Sequence, residues 1–117
     1  MVIWIIGMAG AGKTVVGEAL YRNLKTDYAN LVFVDGDVIR KVWGEEMGHT
    51  IPERKKNADR ICRLCHMLDQ QGIHVVCSIL SLFAESREWN RYNYKHYFEI
   101  FIDVAMFYIW LSSEGSN

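Results

Sequence analysis

Eight residues near the N-terminus, Gly7-Met8-Ala9-Gly10-Ala11-Gly12-Lys13-Thr14, restrict the folds open to this chain more than any other feature. They follow the apolar run Val2-Ile3-Trp4-Ile5-Ile6 and precede residues with helical spacing, so the order is strand, glycine-rich loop, Lys-Thr, helix. Glycines let the backbone curl until consecutive N–H groups point inward, and the helix that starts there adds the partial positive charge of its N-terminus. Such a loop cradles phosphate oxygens. Lys13 is then placed to reach the β- and γ-phosphates of a nucleoside triphosphate, and Thr14 to present its hydroxyl to Mg²⁺. A glycine-rich turn that only joins a strand to a helix has no need of the Lys-Thr pair. ATP and Mg²⁺ are therefore the expected cofactors, held by Gly7, Ala9, Gly10, Ala11, Gly12, Lys13 and Thr14.

The chain has 117 residues, half of them apolar, and a single proline, enough for one domain over residues 1–117 with one modest core. Thirteen basic against fourteen acidic side chains give a net charge of −1, which offers no bulk attraction to nucleic acid or to an anionic membrane surface. The expected partner is a small nucleotide substrate. The apolar N-terminus lacks a basic leader, and the late apolar stretch over residues 97–111 is interrupted by Glu99 and Asp103, so neither reads as a signal peptide or a spanning helix. With three cysteines and no export signal, the chain is expected in a reducing cytoplasm.

Strand and helix patterns alternate along the chain without repeats or linkers. Strands are expected at residues 2–6, 31–35, 73–78 and 98–103, each short and nearly all apolar, as in a parallel sheet covered on both faces. Helices are expected at residues 13–25, 52–71 and 86–95. In the longest, Ile61, Leu64, Cys65 and Leu68 fall on one stripe and Gly72 follows as a stop. Right-handed crossovers would bring the carboxyl ends of the strands to one edge, where the loop at residues 7–14 meets Asp35, Asp37, Ser78 and Ser81.

A second polar cluster, Asp35-Gly36-Asp37-Val38-Ile39-Arg40, leaves the second strand at that edge. Read as a turn bent at Gly36, it offers carboxylates that hold metal waters or take the proton of an attacking hydroxyl, and a guanidinium fork suited to phosphate or sulfate. The plainer alternative is an Asp-Gly turn with Asp37 as a helix cap and a surface arginine. A third cluster, Glu53-Arg54-Lys55-Lys56-Asn57-Ala58-Asp59-Arg60, opens the long helix with Arg54, Asn57 and Arg60 near one face. It is either a solvated face or a hold on an anionic acceptor. Cys62-Arg63-Leu64-Cys65-His66 has the spacing of a haem-attachment motif, but it lies inside the long helix with no second cysteine pair. Buried apolar thiols, Cys77 included, and a helix-surface His66 are the expectation.

In this order these stretches resemble adenylyl-sulfate kinases, small P-loop kinases that phosphorylate the 3′-hydroxyl of adenosine 5′-phosphosulfate. The similarity runs from the strand and loop through Lys13-Thr14, Val34-Asp35-Gly36-Asp37 with Arg40, and the R-x-x-N-x-x-R spacing of Arg54, Asn57 and Arg60. It continues through residues 75–81, Glu85-Ser86-Arg87-Glu88-Trp89 and residues 98–103, so it covers about residues 2–103. The resemblance implies a three-layer α/β P-loop NTPase fold with a mostly parallel sheet. It implies Lys13 and Asp37 as catalytic residues and Thr14 and Asp37 as metal-facing ones. Asp35, Asp37, Arg40, Arg54, Asn57, Ile79, Ser81 and Phe83 would form the acceptor site.

Three departures stand out. Ala9 replaces the usual serine, a mild change. Leu80-Ser81-Leu82 stands where Ile-Ser-Pro is usual, which loosens the acceptor side, and the chain also resembles kinases of capsule phosphoramidate pathways that act on a cytidine nucleotide. After the fourth strand the family's Arg-Asp pair, Lys-Gly-Leu-Tyr segment, lid and last strand are missing. In their place stands an atypical apolar tail over residues 104–117. That tail is expected either to fill the vacated sheet edge or to pair with a second copy in a homodimer. If it replaces nothing, the domain is a catalytically impaired nucleotide-binding remnant.

Overall fold

Strand β1 (Val2–Gly7) is buried along its whole length, which an apolar run achieves only at the centre of a sheet covered on both faces. The computed structural model describes residues 1–7, 12–44, 48–79, 83–102 and 107–112. In chain order the further elements are α1 (Lys13–Lys25), β2 (Leu31–Asp35), α2 (Gly36–Val42), α3 (Ile51–Gln70), β3 (His74–Ile79), α4 (Ala84–Asn93), β4 (Tyr97–Ile102) and β5 (Phe107–Ser112). The sheet order is β2-β3-β1-β4-β5. The first four strands are parallel, with Ile6 beside Ile79 and Phe101, and Asp35 beside Ser78, so their carboxyl ends share one edge. This is the mostly parallel α/β architecture that the sequence implies.

Alternation along the strands divides the core between the two faces. On one face Val2, Trp4, Ile6, Val75, Cys77 and Ile79 pack with Ala58, Ile61, Cys62 and Cys65 of α3, and with Tyr94 and Tyr97. On the other, Ile3, Ile5, Leu31 and Val76 meet Leu20, Tyr21 and Leu24 of α1. Close approach there depends on Gly17, where an added Cβ would stand 2.9 Å from the Phe33 ring.

Two elements differ from the sequence reading. The Asp35-Gly36-Asp37 cluster is not a turn but the start of α2, and its cap is Asp35, not Asp37. One Asp35 carboxylate oxygen accepts from the backbone N–H groups of Asp37 and Val38 at 2.9 and 3.1 Å. Gly36 is needed for closeness rather than for a bend: its φ is not positive, and a Cβ would sit 3.2 Å from Ile79 and 3.3 Å from the Ser78 carbonyl oxygen. The second difference is β5, which runs antiparallel to β4 with Ile102 beside Phe107 and Tyr97 beside Ser112. Part of the atypical tail thus lies along the sheet edge, the first of its two expected fates.

Glu99, one of the polar breaks in the late apolar stretch, has a structural use. Glu99, with no exposure, accepts from Arg91 Nη2 at 2.6 Å and from the Tyr97 hydroxyl at 2.8 Å, and Asn90 donates to that hydroxyl at 3.1 Å. Burial, with the Glu99 charge beside it, pushes the Tyr97 phenol far above its ordinary range. Among the described residues no helix is long and apolar enough to cross a membrane.

Candidate nucleotide and acceptor site

At the carboxyl edge of the sheet, β1 ends at Gly7 and α1 begins at Lys13, with Gly12 as the residue before the helix. Gly12 has φ of 91°, a left-handed conformation that glycine adopts without steric cost. The start of α1 is tied to β3 by Ser78, whose hydroxyl donates to the Lys13 carbonyl at 2.8 Å. Ala9, Gly10 and Ala11 lie outside the described residues, so the glycine-rich loop is seen at its two ends. Those ends have the strand and helix junctions that a phosphate cradle requires.

Thr14 leads to the acidic cluster. Its hydroxyl donates to an Asp35 carboxylate oxygen at 3.2 Å, while the other Asp35 oxygen caps α2. The carboxylate beside Thr14 is therefore Asp35, which the sequence reading gave to the acceptor, whereas Asp37, given there to the metal as well, lines a neighbouring pocket. A hydroxyl and a carboxylate side by side at the loop's exit suit Mg²⁺, which takes few protein ligands and fills its octahedron with water and phosphate oxygens. Among the described residues no three His, Cys, Asp or Glu side chains group as an all-protein metal site.

The pocket is lined by Gly36, Asp37 and Arg40 of α2, by His49, by Arg54 and Asn57 of α3, and by Ile79 at the end of β3. Five of the expected acceptor residues are thus brought together: Asp37, Arg40, Arg54, Asn57 and Ile79. Their states differ. Among the described residues the Arg54 side chain has no hydrogen-bond or ion-pair partner. Arg40 donates to the Gly48 carbonyl and lies 3.3 Å from His49 Nδ1. Asn57 is a brace, buried, accepting from Trp43 Nε1 at 2.8 Å and donating to the Gly36 carbonyl at 3.4 Å. Arg60, the last member of the spaced triplet, stacks on the Trp43 ring at 5.8 Å and is not among the lining residues.

Phe83 stands just before α4 with the Lys55 ammonium 6.0 Å from its ring centre, beside rather than in the pocket lining. Ser81 lies outside the described residues. His49 is the lining residue that sequence reasoning missed. Only the return of the chain between α2 and α3 puts it there, and the one available signal was its position just before the Thr50-x-x-Glu53 helix start. Thr50 caps α3, and the Glu53 carboxylate accepts from the Thr50 hydroxyl at 2.6 Å and from the Gly48 N–H at 2.5 Å. Those bonds hold the Glu53 carboxyl below its usual range.

The haem-like cysteine spacing is accounted for by packing. Cys62, Cys65 and Cys77 are all buried free thiols, and burial pushes Cys62 up to about 12. His66 sits edge-on to Trp89 at 5.4 Å and tilted against Tyr94 at 5.8 Å, so it is an aromatic packing partner between α3 and α4 rather than a plain surface residue.

The chain is similar to known proteins. Residues 1–109 match the family model for adenylylsulphate kinase. The chain is 37% identical over 108 residues to a cytidine diphosphoramidate kinase of Campylobacter jejuni, covering 90% of this chain and 61% of that protein. It is 33% identical over 104 residues to an adenylyl-sulfate kinase of Gloeothece citriformis, covering 89% and 59%. The structure of an APS kinase of Mycobacterium tuberculosis in complex with AMPPNP and APS aligns with a TM-score of 0.76 and 26% identity, over 87% of this chain and 61% of that one. The chain spans about three fifths of the length of these relatives.

Proposed function

Because this chain belongs to the adenylylsulphate kinase family, we propose that it transfers the γ-phosphoryl group of ATP to the 3′-hydroxyl of adenosine 5′-phosphosulfate. The observation that carries this reading is the pocket at the sheet edge lined by Asp37 and by Arg54, which has no side-chain partner among the described residues, with Asp37 two residues along the chain from the Asp35 that accepts from Thr14. Donor and acceptor groups therefore share one edge, as an in-line transfer needs.

In the proposed reaction Asp37 accepts the proton of the ribose 3′-hydroxyl, and the freed oxygen attacks the γ-phosphorus. The bond to the bridging oxygen breaks and ADP leaves. Lys13 and the N-terminus of α1 stabilise negative charge on the transferring group. Arg54 offers a planar fork to the phosphosulfate, and Ile79 supplies an apolar wall. Thr14 and Asp35 would hold Mg²⁺, which when bound neutralises charge on the β- and γ-phosphate oxygens.

A second reading changes only the acceptor, to cytidine diphosphoramidate, and is favoured by the 37% identity to the Campylobacter jejuni enzyme. Comparing kcat/KM for the two acceptors separates the readings, and the correct one is expected to be preferred by at least ~100-fold, since a site built around hydrogen bonds rejects mismatched groups strongly. ATP binding with turnover on neither would make the chain a nucleotide-binding module. The three buried thiols and the nucleotide substrates suit a cytoplasmic site of action, and β5 at the sheet edge is where a second copy would pair.

A further inference from the structure

Resting on the transfer reading above, we propose that Ser78 is a positioning residue for the reaction: it holds the first residue of α1 and the first residue of α2 against the same end of β3, and so sets how the phosphoryl donor faces the acceptor hydroxyl.

Within the buried run Val75–Ile79 of β3, Ser78 carries the one hydroxyl. A buried hydroxyl needs a partner, and this one leaves the sheet to donate to the Lys13 carbonyl at 2.8 Å. A carbonyl oxygen has two lone pairs, so the bond does not compete with the hydrogen bonds inside α1. The same residue meets α2 through its backbone. Asp35, the cap of α2, lies beside Ser78 in the sheet register, and a Cβ on Gly36 would stand 3.3 Å from the Ser78 carbonyl oxygen. The next residue, Ile79, lines the acceptor pocket. One residue of β3 therefore touches the start of the helix that carries Lys13 and Thr14 and the start of the helix that carries Asp37. The Thr14–Asp35 bond at 3.2 Å also joins these two starts, but its groups are the ones proposed to hold Mg²⁺. Ser78 is 1% exposed, so its bond lies out of reach of the ligands. Each helix start can bind its own ligand without Ser78. What the residue fixes is their relation.

Single-turnover transfer from [γ-³²P]ATP to adenosine 5′-phosphosulfate and to cytidine diphosphoramidate tests this, read together with calorimetric affinities for Mg-AMPPNP and for each acceptor alone. For whichever acceptor the wild-type chain uses, Ser78→Ala is expected to slow transfer ~10–100-fold, the scale of a small misplacement between reacting groups, while each affinity holds within about twofold. Its melting temperature should stay near that of the wild type, and Ser78→Thr, which keeps the hydroxyl, should transfer at close to the wild-type rate. A Ser78→Ala variant as fast as the wild type overturns the proposal. So does a Ser78→Thr variant as slow as Ser78→Ala at an unchanged melting temperature, because the loss would then come from packing. A fall in Mg-AMPPNP affinity equal to the fall in rate also overturns it, since Ser78 would then shape the donor side alone. These results leave phosphoryl transfer standing. A wild-type chain that binds Mg-AMPPNP and transfers to neither acceptor overturns the transfer reading and this inference with it.

Discussion

A charge in a pocket with no partner among the described residues is a place for a counter-charge, and Arg54 is in that state. Arg54→Ala should therefore weaken an acceptor carrying phosphate or sulfate by ~1.5–3 kcal/mol, the worth of a charge-assisted hydrogen bond, while ATP affinity measured in a separate titration stays put. Equal loss for both ligands would mean that Arg54 supports the fold or the donor side. Spacing alone places Arg54, Asn57 and Arg60 near one helix face, because residues three apart are neighbours there. It cannot tell which side chains the fold consumes. Asn57 is spent on bracing α2 against α3 and Arg60 on the Trp43 ring, and both partners lie in a segment whose path the local sequence does not set. His49 was invisible for the same reason.

Between elements, the decisive contact is the one that lets α2 start against β3. Gly36→Ala would push a methyl group to 3.2 Å from Ile79 and 3.3 Å from the Ser78 carbonyl oxygen. Backbone cannot yield as a flexible side chain can, so a loss of about 1–3 kcal/mol is expected in denaturant unfolding, with weaker acceptor binding as Asp37 shifts. Wild-type stability in this variant would show that α2 has slack. The start of α3 responds to pH. Glu53 has its folded carboxyl below the ordinary 4.5, so its contribution is present above that value and is lost as pH falls through the folded one. Amide exchange at Gly48, followed from neutral pH downward, should stay slow and then quicken only after pH passes below the ordinary carboxylate range. Quickening that starts near neutrality would assign the protection to another group. The helix itself was legible from its apolar stripe and Gly72, and its start lies one residue before the expected position. Helix α2 was not, since Asp-Gly-Asp carries turn chemistry and only packing against α3 and β3 decides for a helix.

Across the whole molecule, the sheet order β2-β3-β1-β4 follows from four apolar runs separated by helical crossovers, and all four strands fall within a residue or so of their expected bounds. The fifth strand depends on pairing with β4 rather than on local pattern, so its sequence left open what it would meet. One edge gathers the two described ends of the loop, the Thr14–Asp35 pair and the pocket lined by Asp37 and Arg54, and the proposed transfer rests on that arrangement. The direct measurement is single-turnover transfer of label from [γ-³²P]ATP to each acceptor nucleotide, by the wild-type chain and by Asp37→Asn. Label should appear in a 3′-phosphorylated nucleotide, and Asp37→Asn should slow its appearance by ~10²–10⁴, the usual worth of a general base, with both nucleotide affinities nearly unchanged. Label released only as inorganic phosphate, or an Asp37→Asn variant as fast as the wild type, would contradict phosphoryl transfer to an acceptor held at Asp37.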